Sequence, residues 1–153
     1  MKAGRDPAKI DIWARGMMYI ADDREEAMRE VAGYAVNSAR GICELLSQKG
    51  PDIEDLRKRL EKERPGLIDD CVRVVEVFTE DQHEKLDTPS SGRVTQNIIE
   101  AQHLAGKPQD ICEKLQALAE IGATTFATVT YTIVDKTGMM QEISEKIMPN
   151  FRN

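Results

Sequence analysis

The stretch IDIWARGMMYIA, residues 10–21, reads as a strand that carries a guanidinium at Arg15. By strand alternation Ile10, Ile12, Ala14, Gly16, Met18 and Ile20 share one face. Asp11, Trp13, Arg15, Met17 and Tyr19 share the other. A charged group on the interior face of a strand needs an anionic partner, which is either a ligand or the nearby Asp11. The remaining candidates are weaker. Gly106, Lys107 and Pro108 lead into a helix with Asp110 in its first turn, where free amides offer an anion site. The glycine density of a phosphate-cradling loop is missing, so a structural turn is the simpler reading. His83 and His103 have no Cys, Asp or second His at ligand spacing, which argues against zinc. Ser90 and Ser91 lie in a loop without a nucleophile-elbow pattern. The pairs Asp22–Asp23 and Asp69–Asp70 abut helix starts, where capping explains them. No catalytic constellation assembles from these residues.

The elements that must position them follow from periodicity. Ile111, Leu115, Leu118 and Ala119 give DICEKLQALAEIG one apolar helical face, and Gly122 stops that helix. ATTFATVTYTIV, rich in β-branched and aromatic residues, reads as a second strand. Ala127, Val129, Tyr131 and Ile133 fall on one of its faces, and Thr124, Thr128, Thr130 and Thr132 on the other with Phe126. A last amphipathic helix carries Met139, Ile143 and Ile147 and ends before Pro149.

Between the strands the chain is helical. Asp22, with Glu25 in capping-box register, opens a long helix that runs to Gly50–Pro51 with Ala27, Val31, Ala35 and Ile42 inward. PDIEDLRKRLEKERPG makes a charged helix with Ile53, Leu56 and Leu60 as its only apolar seam, the alternating signs marking a solvated face. LIDDCVRVVEVFTEDQHEKL is the next helix, TPSSG at 88–92 the clearest flexible loop, and RVTQNIIEAQHLAG one more helix closed by Gly106. This excursion of about 100 residues exceeds an ordinary βα connection of one helix. The organisation is one domain over 1–153: strand plus long helix over 1–49, helical insertion over 50–91, and a helix-strand-helix closing unit over 92–153.

Bulk properties narrow the class. With 153 residues the chain supports one domain with a real core, and its 41% hydrophobic and 31% charged content marks a globular protein. A net charge of −6 with interspersed signs argues against a nucleic-acid surface. No apolar run approaches the roughly 20 residues needed to span a bilayer, and MKAGRDPAKID lacks a signal-peptide core. The expected location is the cytoplasm. Cys43, Cys71 and Cys112 lie far apart in helical segments and read as reduced thiols, most simply small core hydrophobes.

Three stretches then carry a family resemblance. GRDPAKIDIWARGMMYIADDREEAMREV resembles a late barrel strand and its helix in the luciferase-like, flavin- or F420-dependent oxidoreductases. LAGKPQDICEKLQALAEIGATTFATVTY is similar to that family's closing turn, helix and last strand, and EKIMPNFR to its usual ending. The matches occur in family order, whereas residues from about Gly50 to Ser91 match nothing identifiable. The resemblance implies a segment of a TIM barrel with flavin mononucleotide (FMN) or coenzyme F420 at the strands' C-terminal end. It implies hydride transfer with substrates such as tetrahydromethanopterin derivatives, or oxygen activation on reduced flavin. Carried over residue by residue, it makes Arg15 the first cofactor- or substrate-side candidate, with Thr130 and Tyr131 behind it.

Family members are much longer, and this chain resembles only their C-terminal part. The expectation is therefore a helix-rich α/β partial barrel with two principal strands and a large helical insertion. Two strands cannot close a barrel and leave unpaired edges. The chain is expected to self-associate as a homo-oligomer, to pair with a separately encoded N-terminal barrel half, or to be a truncated product. The competing expectation is a non-catalytic helical oligomer or scaffold derived from the same fold.

Overall fold

The structure is a computed structural model that describes residues 6, 9–82, 85, 87–129 and 135–151. Its centre is strand β1, Trp13–Ile20, the most apolar stretch of the sheet. The long helix α1 follows over Arg24–Ser47, then α2 over Pro51–Glu63 and α3 over Leu67–Val75. Helix α4, Gln96–Gln102, leads into a three-residue strand β2, Leu104–Gly106. Helix α5 spans Pro108–Glu120, strand β3 Thr125–Val129, and helix α6 Lys136–Glu142. Helix α6 continues as a π-helical turn over Ile143–Ile147 and a 3-10 turn over Met148–Phe151.

All described strands are parallel, in the order β2-β1-β3. The sheet therefore holds a third strand beyond the two expected. A simple barrel arc would add β3 beside β2, yet β3 takes the other edge of β1. The cause is the shortness of β2, which pairs only Met18, Tyr19 and Ile20 and ends at Gly106 with φ 137°. It offers little edge to a further strand, whereas β1 offers two. β2 flanks the C-terminal half of β1, and β3 flanks Trp13 to Met17. Helices α1–α4 link β1 to β2, and α5 links β2 to β3 across β1, so β1 is the middle strand with helices packed against it. Met17, on one face, and Gly16, Met18 and Ile20, on the other, are accordingly all buried.

The core joins this strand to Val31, Ala35, Ala39 and Ile42 of α1, Leu67 and Cys71 of α3, and Ile98 of α4. From the far end Ile111, Met139, Ile143 and Ile147 join it, the last three being the stripe expected of the final helix. Ile53, Leu56 and Leu60 form the seam of α2 against the core, as their spacing requires. Cys71 is buried, Cys43 and Cys112 are half-buried, and all three are free thiols. Helix α1 is capped by Asp23 rather than Asp22: its carboxylate accepts from the Glu25 amide at 2.8 Å.

Three segments depart from the sequence reading. The helix expected from Leu67 to Leu86 stops at Val75, within the β-branched run Val74, Val75 and Val77 that disfavours helix propagation. The expected loop at TPSSG is a knot of hydroxyls. The Gln82 side-chain oxygen accepts from the Ser90 hydroxyl at 2.8 Å, and Ser91 Oγ accepts from the Thr88 amide at 2.8 Å. Ser90 is fully buried. The helix expected to run on to Gly106 ends at Gln102 because the chain turns to pair with β1.

The end of α4 occupies the edge of β1 that β2 is too short to cover. There the Met17 amide donates to His103 Nδ1 at 3.1 Å. Nδ1 is thus the acceptor, so Nε2 carries the ring proton and donates to Ser38 Oγ at 2.8 Å. Tyr34 meets the imidazole edge-on, with centroids 5.6 Å apart. The imidazole stands in for a backbone carbonyl, satisfying an amide that would otherwise be buried and unpaired. One residue back, a Cβ on Gly16 would lie 2.1 Å from the Gln102 carbonyl oxygen, so only glycine permits this approach.

Gly16→Ala is expected to cost about 2 kcal/mol or more by forcing α4 off the strand. Urea unfolding checks this, and a change within about 0.5 kcal/mol would refute the close approach. His103 adds a pH dependence. Burial, assisted by the charge of Lys114, lowers its pKa to about 4, against about 6.5 in an unfolded chain. The unfolded state therefore binds the extra proton first as the pH falls. His103's share of stability is whole above pH 6.5 and is lost toward pH 4, by roughly 3 kcal/mol. His103→Gln should flatten the stability profile in that window; parallel profiles would overturn the assignment.

Candidate functional site

In parallel α/β sheets ligands bind outside the carboxyl ends of the strands. At that end of β1 lies a cleft of about 600 Å³, formed by Tyr19 and Ile20, the turn into α1, and α6. Its lining is acidic: Asp22, Asp23, Glu26, Glu30, Asp135 and Glu142, with Lys146 as the lone cation among the described lining residues. Three of these carboxylates have structural work. Asp23 caps α1, Asp135 caps α6 by accepting from the Gly138 amide at 2.8 Å, and Glu142 pairs with Lys146 at 3.2 Å. The Tyr19 phenol is pushed up by burial and then by Glu30, Glu26 and Glu142, so it stays a proton donor at neutral pH. Among the described residues no group of three or more His, Cys, Asp and Glu converges to hold a metal ion. This cleft favours cationic or hydrogen-bond-donating groups and disfavours anions.

Arg15 lies elsewhere. It sits in the N-terminal half of β1, exposed rather than interior, because the layers that bury Met17 and Met18 do not reach it. Asp11 is also exposed and forms no ion pair with it. Arg15 opens instead on a second cleft of about 480 Å³ between α4 and α5. Thr130 and Tyr131 lie outside the described residues, directly after the end of β3. Of the three sequence candidates, Arg15 alone is therefore placed by the described residues.

Reading the sequence missed the groups that share the second cleft with Arg15: Glu100, His103 and Lys114. Burial raises the Glu100 carboxyl, but the Gln96 hydrogen bond and the charges of Lys114, Arg24 and Arg64 outweigh it and hold its pKa low. Burial lowers the Lys114 ammonium, Glu100 and more weakly Asp110 oppose the shift, and Arg24 and Arg64 add to it. A signal for the cluster was available: Glu100 and His103 are three apart at the C-terminal end of a short apolar helix.

Residues 1–125 match the family described as luciferase-like monooxygenase. A 5,10-methylenetetrahydromethanopterin reductase of Archaeoglobus fulgidus is 25% identical over 152 residues, covering 99% of this chain. The same alignment covers 41% of the reductase, so the chain spans well under half the length of that relative. No described helix is long and apolar enough to cross a membrane. With the family pattern running through β1, the helical layer, β2 and α5, this chain belongs to the luciferase-like monooxygenase family.

Proposed function

We propose that the chain is the C-terminal portion of a luciferase-like oxidoreductase, incomplete for catalysis alone and completed by self-association or by a separately encoded N-terminal barrel half. The observation that carries this is the alignment: nearly all of this chain against 41% of a reductase. Among the described residues the three-stranded sheet has unpaired edges, which supports it, since parallel strands in this class are ordinarily flanked on both sides. In the completed barrel β1, β2 and β3 contribute neighbouring strands, and the substrate class is that of the methylenetetrahydromethanopterin reductases. The medium is the cytoplasm.

The family's cofactors are FMN and coenzyme F420, both anionic at one end. The carboxylates at the strand ends do not fit that end of either molecule, because a phosphate anion placed among them is repelled. The same mismatch favours a second reading, a non-catalytic helical oligomer or scaffold that keeps the fold.

Light scattering on the size-exclusion peak, together with absorbance and fluorescence titrations with FMN and with F420, separates these readings. The first expects a mass above the monomer and saturable binding at about micromolar concentration by the assembly. A compact, stable monomer would defeat the association. An assembled, folded oligomer that binds neither molecule would defeat the oxidoreductase reading and leave the scaffold.

A further inference from the structure

The cleft between α4 and α5 has charges that its own residues do not balance. Glu100 is the one carboxylate among its described lining residues, and it is fully engaged. Arg24 pairs with its Oε1, Gln96 donates to the same oxygen at 2.6 Å, and Arg64 stands 3.9 Å from Oε2. Arg64 is fixed as well, donating to the Glu100 carbonyl oxygen at 3.1 Å. Lys114 and Arg15 remain, and neither forms an ion pair with a described residue. Lys114 is half-buried in this wall; Glu100 and Asp110 act on its ammonium from a distance, but neither pairs with it directly.

Much of the remaining lining of the cleft is apolar. Ala14, Leu104, Leu118, Ile121 and Phe126 line it, and Ile121 at its rim is 78% exposed. At about 480 Å³ it falls in the size range of small-molecule sites. A bare inorganic anion would answer the charges and leave this wall wet. A neutral aromatic would cover the wall and leave the ammonium unpaired. We propose that this cleft binds a small aromatic carboxylate, its anionic group held by Lys114 and Arg15 and its ring lying on Phe126, Leu118 and Ile121. The site is distinct from the acidic cleft at the strand ends, and the inference does not rest on the oxidoreductase reading.

The probe is 2-naphthoate, followed by its own fluorescence on the full chain, with 2-naphthamide as its neutral isostere. Naphthoate is expected to bind saturably and at least roughly tenfold more tightly than naphthamide. Lys114→Met and Arg15→Gln should each weaken naphthoate by roughly fivefold or more while leaving naphthamide binding unchanged. Unchanged naphthamide binding also shows that each variant is folded. Glu142→Gln, in the other cleft, should alter neither ligand. Equal binding of the two probes, no saturable binding of naphthoate, or full naphthoate affinity in both variants would each overturn the proposal. Displacement of naphthoate by inorganic phosphate but not by chloride at equal ionic strength would reduce the site to a charge trap and overturn the aromatic part. Naphthoate has no redox chemistry of a flavin kind, so its result is separable from the FMN and F420 titrations.

Discussion

The architecture depends on the approach of the α4 terminus to the backbone of β1. A buried central strand must have every amide satisfied, and β2 reaches only the last three residues of β1. At Met17 the partner is an imidazole, delivered by a helix that can come close only because residue 16 has no side chain. The contact links α1 through Ser38, α4 through His103 and the strand through Met17. Three elements far apart in sequence are thereby fixed around one ring. Because His103 also lines the second cleft, the residue that completes the sheet helps shape a candidate binding surface.

Two clefts of opposite character follow from the winding. The strand ends face the first turns of α1 and α6, where carboxylates are favoured by exposed amides and the helix dipole, and the cleft there becomes acidic. The side of the sheet beside α5 collects Arg15, Arg64 and Lys114 around a single engaged glutamate. The first cleft is therefore largely a by-product of capping. The second has no such structural account for Lys114 and Arg15, which is why it carries more chemical information.

Much of the helical layer was legible because a helix buries a stripe whose period shows in the sequence. Val31, Ala35 and Ile42 of α1, and Met139, Ile143 and Ile147 at the end, all lie where their spacing puts them. The resemblance at the chain ends likewise identified the family before any geometry. What could not be read was set by partners rather than by local pattern. Leu104–Gly106 is too short for alternation to register, and only pairing with β1 makes it a strand. His103 looked solitary because its partners, Ser38 and Met17, lie 65 and 86 residues away. TPSSG has loop composition, yet the half-buried Gln82 oxygen draws the Ser90 hydroxyl inward. Arg15 was assigned to the correct strand and the wrong environment, since alternation gives a face but not how far the covering layers extend.

The uncovered N-terminal half of β1 gives the molecule a built-in optical handle. Trp13 is the chain's one tryptophan and is 67% exposed, beside Ile12 and opposite Thr125. Its indole already meets water in the folded chain, so its emission changes little on denaturation and is a poor gauge of folding. Anything that covers this end of the sheet moves the indole into an apolar setting and shifts the emission to the blue. The same side chain that is silent about unfolding thus reports, without a label, on what comes to lie against the open end of β1.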